Sequence, residues 1–214
     1  MKKDVKKTLI ITSIITALPI LIGTALWDQL PDTMATHFGS DGTPNGWSSK
    51  WFTVFGLPLF LVILNVVCTL ATENDPRRDR YPEKMMKLVY WICPVCAWIC
   101  AVSIYANALG FELTNLGRYM SLLLGVMFIM IGNYLPKVKQ NWYLGIKLPW
   151  TYADEENWNK THRLGGKVWV IGGLLFILNF FLQIKGLELW LILLLVLIPV
   201  IYSYLYSKKN KKSE

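Results

Sequence analysis

Three small groups of residues in this chain are of types that do chemistry. Cys93-Pro94-Val95-Cys96 is a C-x-x-C pair, with Cys100 following at helical spacing on nearly the same face, the pattern of a thiol exchange site. Glu155, Asn159 and His162 recur at i, i+4 and i+7, which on a helix would set a carboxylate and an imidazole along one face, as in a general base with its orienting group. His37, with Asp32 and Asp41 around it, offers one ring nitrogen and two carboxylates to a cation.

Each group also has a plainer reading. Thiol exchange needs an accessible helix start, whereas Cys93 lies inside a long apolar run and neither outer loop carries a cysteine to exchange with; small thiols packing a helix kinked by Pro94 explain the pattern. No nucleophile accompanies Glu155 and His162, and no Ser-His-Asp pattern, H-E-x-x-H motif, P-loop or G-x-G-x-x-G lies near them. The chain is therefore read as a non-enzyme with no catalytic residue, and the plainer role of Glu155 and His162 is to tie a helix to its loop. Asp32, His37 and Asp41 match neither EF-hand nor zinc spacing, so no metal and no cofactor is expected.

The elements that position these residues are read from composition. With 54% hydrophobic and 17% charged residues, the chain belongs to the membrane class. Runs from Thr8 to Trp27, Trp51 to Thr72, Met85 to Leu109, Leu116 to Leu135, Gly165 to Gln183 and Leu187 to Ser207 approach the ~20 residues that span a hydrocarbon core. The fold expected is an all-α polytopic membrane protein of six transmembrane helices. The first run is too long for a signal-peptide core and ends in bulky residues, so it is kept as a span.

Charge orients the spans. The N-terminus, residues 73–87, residues 136–167 and the tail hold 19 of the 22 Lys and Arg residues, which predicts that these segments, and both termini, are cytoplasmic. The net charge of +8 is then a topogenic signal beside anionic lipid and calls for no direct nucleic-acid contact. The chain divides into a two-span region, 1–72, with an outer loop at 28–50, and a four-span region, 73–214, with a cytoplasmic loop at 136–164. Each half also reads as span, long loop, span, short connection, span, a plan that an inverted repeat would produce. Mid-span positions offer nothing more polar than Asn65, Thr69, Ser103 and Asn179, which disfavours ion-coupled transport but leaves a transporter or exporter of a hydrophobic or peptide substrate as a rival reading. An intramembrane enzyme using Glu155 and His162 is the other rival.

The outer loop, with "GSDGTPNG" at its centre, reads as a compact irregular excursion. In the inner loop, Thr151 is placed to cap a short helix from Tyr152 to Arg163, with Asp154 and Glu155 at its positive end. Trp142, Trp150, Trp158 and Trp169 suit the headgroup zone, so this helix is expected to lie along the inner membrane surface.

The stretch "GNYLPKVKQNWYLGIKLPWTYADEENWNKTHRLGGKVWVIGG", Gly132 to Gly173, resembles the signature of SdpI-family bacterial membrane proteins, named for immunity to the sporulation-delaying peptide toxin. The outer-loop run "LPDTMATHFGSDGTPNGWSSK" is similar to the short domain of unknown function that often precedes it. Positions that match are Gly132, Asn133, Pro136, Asn141, Gly145, Pro149, Trp150, Thr151, Glu155, Trp158, Asn159, Thr161, His162, Arg163 and Gly166; the departure is Lys147-Leu148, where Arg-Thr is expected. A lysine there keeps the charge and loses the bidentate fork.

The resemblance implies a multi-pass protein of the bacterial cytoplasmic membrane that protects against a secreted antimicrobial peptide. It also implies a signalling role, in which the toxin-engaged protein captures a small DNA-binding repressor. On that basis the partner-binding surface expected is Lys147, Pro149, Trp150, Thr151, Glu155, Trp158, Asn159, His162 and Arg163, with Trp150 and Trp158 as rigid anchors. The outer sensing surface expected is His37, Asp41, Asn45 and Trp47.

Overall fold

The computed structural model describes residues 3–39, 43–111 and 116–210. The fold is mostly helical, and six of its helices are long and apolar enough to cross a membrane. In chain order the elements are α1 (Lys3–Ala25), a hairpin of β1 (Thr33–Phe38) and β2 (Pro44–Ser49), α2 (Leu57–Glu73), α3 (Glu83–Ala108), α4 (Leu116–Tyr134), the short α5 (Pro149–Ala153), α6 (Glu155–Leu182) and α7 (Leu187–Asn210).

Two expectations are corrected. The outer loop is not irregular: β1 and β2 pair antiparallel, Thr33 opposite Ser49 and Ala35 opposite Trp47, with register shifts near His37. The six helices expected are thus joined by a two-stranded hairpin. The expected helix from Tyr152 to Arg163 does not exist as a separate piece either. Its residues are the first turns of α6, which runs unbroken for 28 residues. At 1.5 Å per residue that is about 42 Å, against ~30 Å of hydrocarbon, so about two turns of α6 stand clear of the apolar layer.

The chain forms two compact units, one of residues 1–74 and 86–117, the other of residues 75–85 and 118–214. The compact division therefore places most of α3 with α1 and α2, three spans to a unit, rather than at the boundary of residues 72 and 73.

In the first unit the hairpin is fastened to the helix ends. Met34 of β1, together with Leu30 and Val54, packs on Ala101, Ile104 and Tyr105 of α3. Lys50 closes the base of the hairpin: its ammonium lies 3.3 Å from Asp32, donates to the Trp27 carbonyl at 3.2 Å and sits over the Trp27 ring. A single π-helical turn, Phe52–Gly56, then leads into α2.

In the second unit α6 is the spine. Its contact with α4 is made through glycines: a Cβ on Gly173 would fall 2.6 Å from the Gly125 carbonyl oxygen, and one on Gly166 would fall 2.7 Å from that of Gly132. Backbones touch because no side chain separates them, the usual device for packing helices where lipid removes the hydrophobic drive between them. On the other side Phe176 packs against Leu191 and Leu195 of α7. Widening the α4–α6 contact should be costly. Gly173→Val is expected to destabilise the folded protein by at least ~1–3 kcal/mol, read as a lower resistance to unfolding in mixed micelles, whereas unchanged stability would mean that the two backbones do not rely on this contact.

Candidate functional site

From Val138 to Asp154 the backbone of the second unit is largely irregular, and side chains close its hydrogen bonds. Asn141 is completely buried. Its amide donates to the Lys139 and Leu144 carbonyls at 2.8 and 2.9 Å, and its oxygen accepts from the N–H groups of Tyr143 and Leu144 at 3.0 and 2.8 Å. One side chain thus supplies the four bonds of a turn that no ladder supports.

The next residues meet α6. Gly145 has φ +116°, and a Cβ there would run into His162 Nε2. The glycine is required twice over, for its conformation and for the close approach it allows. That approach brings the Ile146 N–H within 2.9 Å of His162 Nε2, to which it donates. The other ring nitrogen, Nδ1, lies 2.7 Å from the Trp158 carbonyl. A carbonyl can only accept, so Nδ1 carries the proton and Nε2 presents its lone pair: the imidazole is neutral and in one tautomer. Trp158 stacks on it, ring centroids 4.1 Å apart, and donates its indole N–H to the Val138 carbonyl at 2.8 Å.

At the corner between α5 and α6, Thr151 does not cap the long helix. Its hydroxyl accepts the Leu148 N–H at 2.9 Å and lies within reach of the Ile146 and Leu148 carbonyls, so it is spent on the loop. The cap of α6 is Asp154, whose carboxylate accepts from the N–H groups of Glu156 and Asn157 at 2.8 and 3.2 Å. Helix α7 braces the corner. Trp150 donates its indole N–H to Ser203 Oγ at 2.7 Å and meets the Tyr204 ring edge-on, while Asn157 donates to the Ser203 carbonyl at 3.0 Å and accepts the Thr161 hydroxyl.

These contacts sort the expected partner-binding residues into two sets. Thr151, Trp158 and His162 are buried, with Trp158 and His162 at 0% exposure, and cannot touch a partner directly; Trp150 is half-buried and held by α7. Lys147, Pro149, Glu155, Asn159 and Arg163 are exposed, the last three spaced four apart along α6. Glu155 is exposed about two turns before His162 on α6, and both nitrogens of the buried ring are engaged by Ile146 and Trp158, so no carboxylate–imidazole pair is formed. Beside the exposed set, a cleft of about 510 Å³ is lined by Trp150, Asp154, Glu155, Glu156, Ser207 and Asn210, among others. In the first unit, His37 and Asn45 are hydrogen-bonded to each other across the hairpin, Trp47 is 59% exposed, and Asp41 lies outside the described residues. Among the described residues no group of three or more His, Cys, Asp or Glu residues could hold a metal ion.

A part of the site that the sequence did not signal lies at residues 75–81. The buried carboxylate of Asp75 accepts from the N–H of Arg77 at 2.8 Å, from the N–H of Trp142 at 3.1 Å and from the hydroxyl of Tyr81. Arg77 donates to the Gln140 side chain and Arg80 to its backbone carbonyl, and Gln140 in turn donates to the Thr151 and Tyr152 carbonyls. This short connection is thereby clasped to the irregular loop. Desolvation pushes the Asp75 carboxyl up, but the bonds from Tyr81, Arg77 and Trp142, with the Arg77 charge, outweigh it and hold the carboxyl below its usual value. Burial, then the Asp75 carboxylate, push the Tyr81 hydroxyl up, so it stays a donor.

The sign of the linkage follows. Because the folded value of Asp75 is depressed, its stabilisation is fully present above the unfolded value of about 3.9 and is lost as pH falls through the lower folded value. Hydrogen exchange of the Trp142 and Tyr143 amides should therefore be constant from neutral pH to about pH 4, after correction for intrinsic rates, and should lose protection below it. In Asp75→Asn the protection should be weaker throughout and flat over the same range.

Residues 137–207 match the SdpI/YfhL protein family, and residues 14–62 match a domain of unknown function, DUF1648. The chain is 28% identical over 207 residues to the immunity protein SdpI of Bacillus subtilis (strain 168), covering 94% of this chain and 96% of that protein. No solved structure matches. The irregular loop and its α6 brace fall within the first of these matches and the hairpin within the second, so that this multi-pass membrane protein is similar to the SdpI/YfhL family over residues 137–207 and to the DUF1648 domain over residues 14–62.

Proposed function

We propose that the chain is an immunity protein of the bacterial cytoplasmic membrane, giving resistance to a secreted antimicrobial peptide. The observation that carries this reading is the similarity to the immunity protein SdpI along nearly the whole of both chains. Both termini and the loop of residues 138–154 lie on the cytoplasmic side in this reading, because most of the Lys and Arg residues are in those segments. The hairpin, carrying His37, Asn45 and the exposed Trp47, then faces outward, toward the peptide.

On the inner side we assign signalling to the exposed stripe of Glu155, Asn159 and Arg163, with Lys147 and Pro149 beside it and the open part of Trp150 as the aromatic contact. The partner is a protein such as a small DNA-binding repressor, with no nucleic-acid contact by this chain itself. The buried Trp158 and His162 serve as positioning residues that hold the stripe and loop in one geometry.

The reading is tested by survival of a sensitive bacterium expressing the chain and challenged with the sporulation-delaying peptide, against an empty vector. Protection is expected; none at confirmed membrane abundance would overturn the immunity reading. The double substitution Glu155→Ala with Arg163→Ala is expected to leave abundance unchanged and abolish partner recruitment or signalling, because both side chains are exposed. Trp158→Ala should act through folding instead, at about 3–5 kcal/mol for a fully buried large aromatic, and so lower abundance in immunoblots. For orientation, a membrane-impermeant thiol reagent on intact cells should label Ser48→Cys and not Lys147→Cys; the reverse pattern would invert the topology.

A further inference from the structure

The first unit holds a polar seam inside its helices. The buried residues of α1 include Thr12 and Thr16, and those of α2 include Asn65, Thr69 and Thr72. Most of these groups are satisfied. Thr12 donates to the Leu9 carbonyl at 3.2 Å, Thr16 to the Thr12 carbonyl at 2.7 Å, and Thr72 lies within reach of the Cys68 and Thr69 carbonyls. The Asn65 amide nitrogen lies 3.0 Å from Thr12 Oγ1 and 3.2 Å from Ser13 Oγ.

The Thr12 contact fixes which way the Asn65 amide points. Thr12 has one hydroxyl hydrogen and uses it on Leu9, so toward Asn65 it can only accept, and the atom facing it must be the N–H donor. The Asn65 carbonyl oxygen is therefore turned away from α1, and it has no hydrogen-bond partner among the described residues. Thr69, one turn further along the same face, presents a second such atom, its hydroxyl oxygen. Both residues are 1% exposed. An unsatisfied acceptor and an unsatisfied hydroxyl, side by side at mid-span, are each expensive where lipid supplies no hydrogen bonds.

We propose that these two atoms form a binding site for one water molecule, which donates to Asn65 Oδ1 and accepts the Thr69 hydroxyl hydrogen. A bare cation fits poorly, because the buried faces of α1 and α2 carry no carboxylate and the groups offered are neutral. Water fits because it donates and accepts at once. The two groups give it the two polar partners that a buried water needs. The site is independent of the immunity reading and lies outside the loop of the second unit.

The test uses the full chain folded in bicelles. A bridged hydroxyl stabilises the fold, so Thr69→Val and Asn65→Leu should each shift the folding equilibrium toward the unfolded state by about tenfold, and the double variant should lose less than the product of the two. Thr69→Val that is neutral or stabilising would mean that the hydroxyl was unsatisfied and would overturn the proposal. An infrared O–H band of the unsubstituted protein that shifts in H2(18)O is expected to persist in Thr69→Ser and vanish in Thr69→Val. If the unsubstituted protein shows no such band the site is dry, and this readout decides the matter even if the valine variant does not fold.

Discussion

The hydrogen bond from the Ile146 N–H to His162 Nε2 is the contact on which the second unit's loop depends. It requires a glycine at position 145, a neutral imidazole with its proton on Nδ1, and a Trp158 carbonyl free to take that proton's hydrogen bond. Remove any one and the others lose their reason. Without the imidazole, the Ile146 N–H is left without its acceptor and a cavity opens against the Trp158 face; an unmade buried bond alone costs about 1–3 kcal/mol. An irregular backbone beside a bilayer is stabilised here because many of its polar groups have side-chain partners, among them Asn141, Gln140, Thr151, His162, Asp75 and Trp158.

That saturation bears on how the loop can work. A segment whose bonds are shared among so many partners does not melt one contact at a time, since breaking Asn141 free exposes four groups at once. Under the proposed function, recognition then falls to side chains that stay exposed: Pro149, Glu155, Asn159 and Arg163, with Lys147, which also donates to the Trp142 carbonyl. In the first turns of α6 the buried side chains are Asn157, Trp158, Thr161 and His162, and the exposed ones include Glu155, Asn159 and Arg163. The ion pair of Glu156 and Lys160 at 2.8 Å, with Tyr206 beneath the ammonium, holds the first turns straight against α7.

The spans were legible because an apolar run of ~20 residues has few alternatives, and the match to the six helices is close at most ends. The helix that carries the fifth span begins at Glu155, ten residues before the apolar run at Gly165; its polar opening has the composition of a surface helix, and nothing local marks that it continues into the membrane. Thr151 and Asp154 are both good caps by type, and what separated them was the demand of the Leu148 N–H, which is tertiary. The hairpin was missed because turn formers dominate its centre and β1 buries neighbouring Met34 and Ala35 rather than alternating. Trp158 was read as an interfacial anchor, since a tryptophan among charges looks amphipathic; its indole N–H found a carbonyl inside instead. The Asp75 clasp had no signal at all, for it joins residues more than sixty positions apart.

The two units handle buried polarity in opposite ways. In the second, Ser121 and Asn179 lie near the ends of their helices and bond to the Phe176 carbonyl and to Glu188, and much of the apolar layer is crossed by glycine contacts and by pairs such as Phe128 on Phe176 and on Trp169. In the first, Thr12, Asn65 and Thr69 place polar atoms within the span itself, between helices that are otherwise apolar. A polar group at that depth costs free energy that a leucine would not, and it holds α1 and α2 in one register, because sliding by a single turn would part the Asn65 amide from Thr12. The register of α1 against α2 in turn sets where Leu26, Trp27 and Leu30 meet the hairpin. The position of the hairpin strands is thus tied, through one helix pair, to polar contacts within the spans.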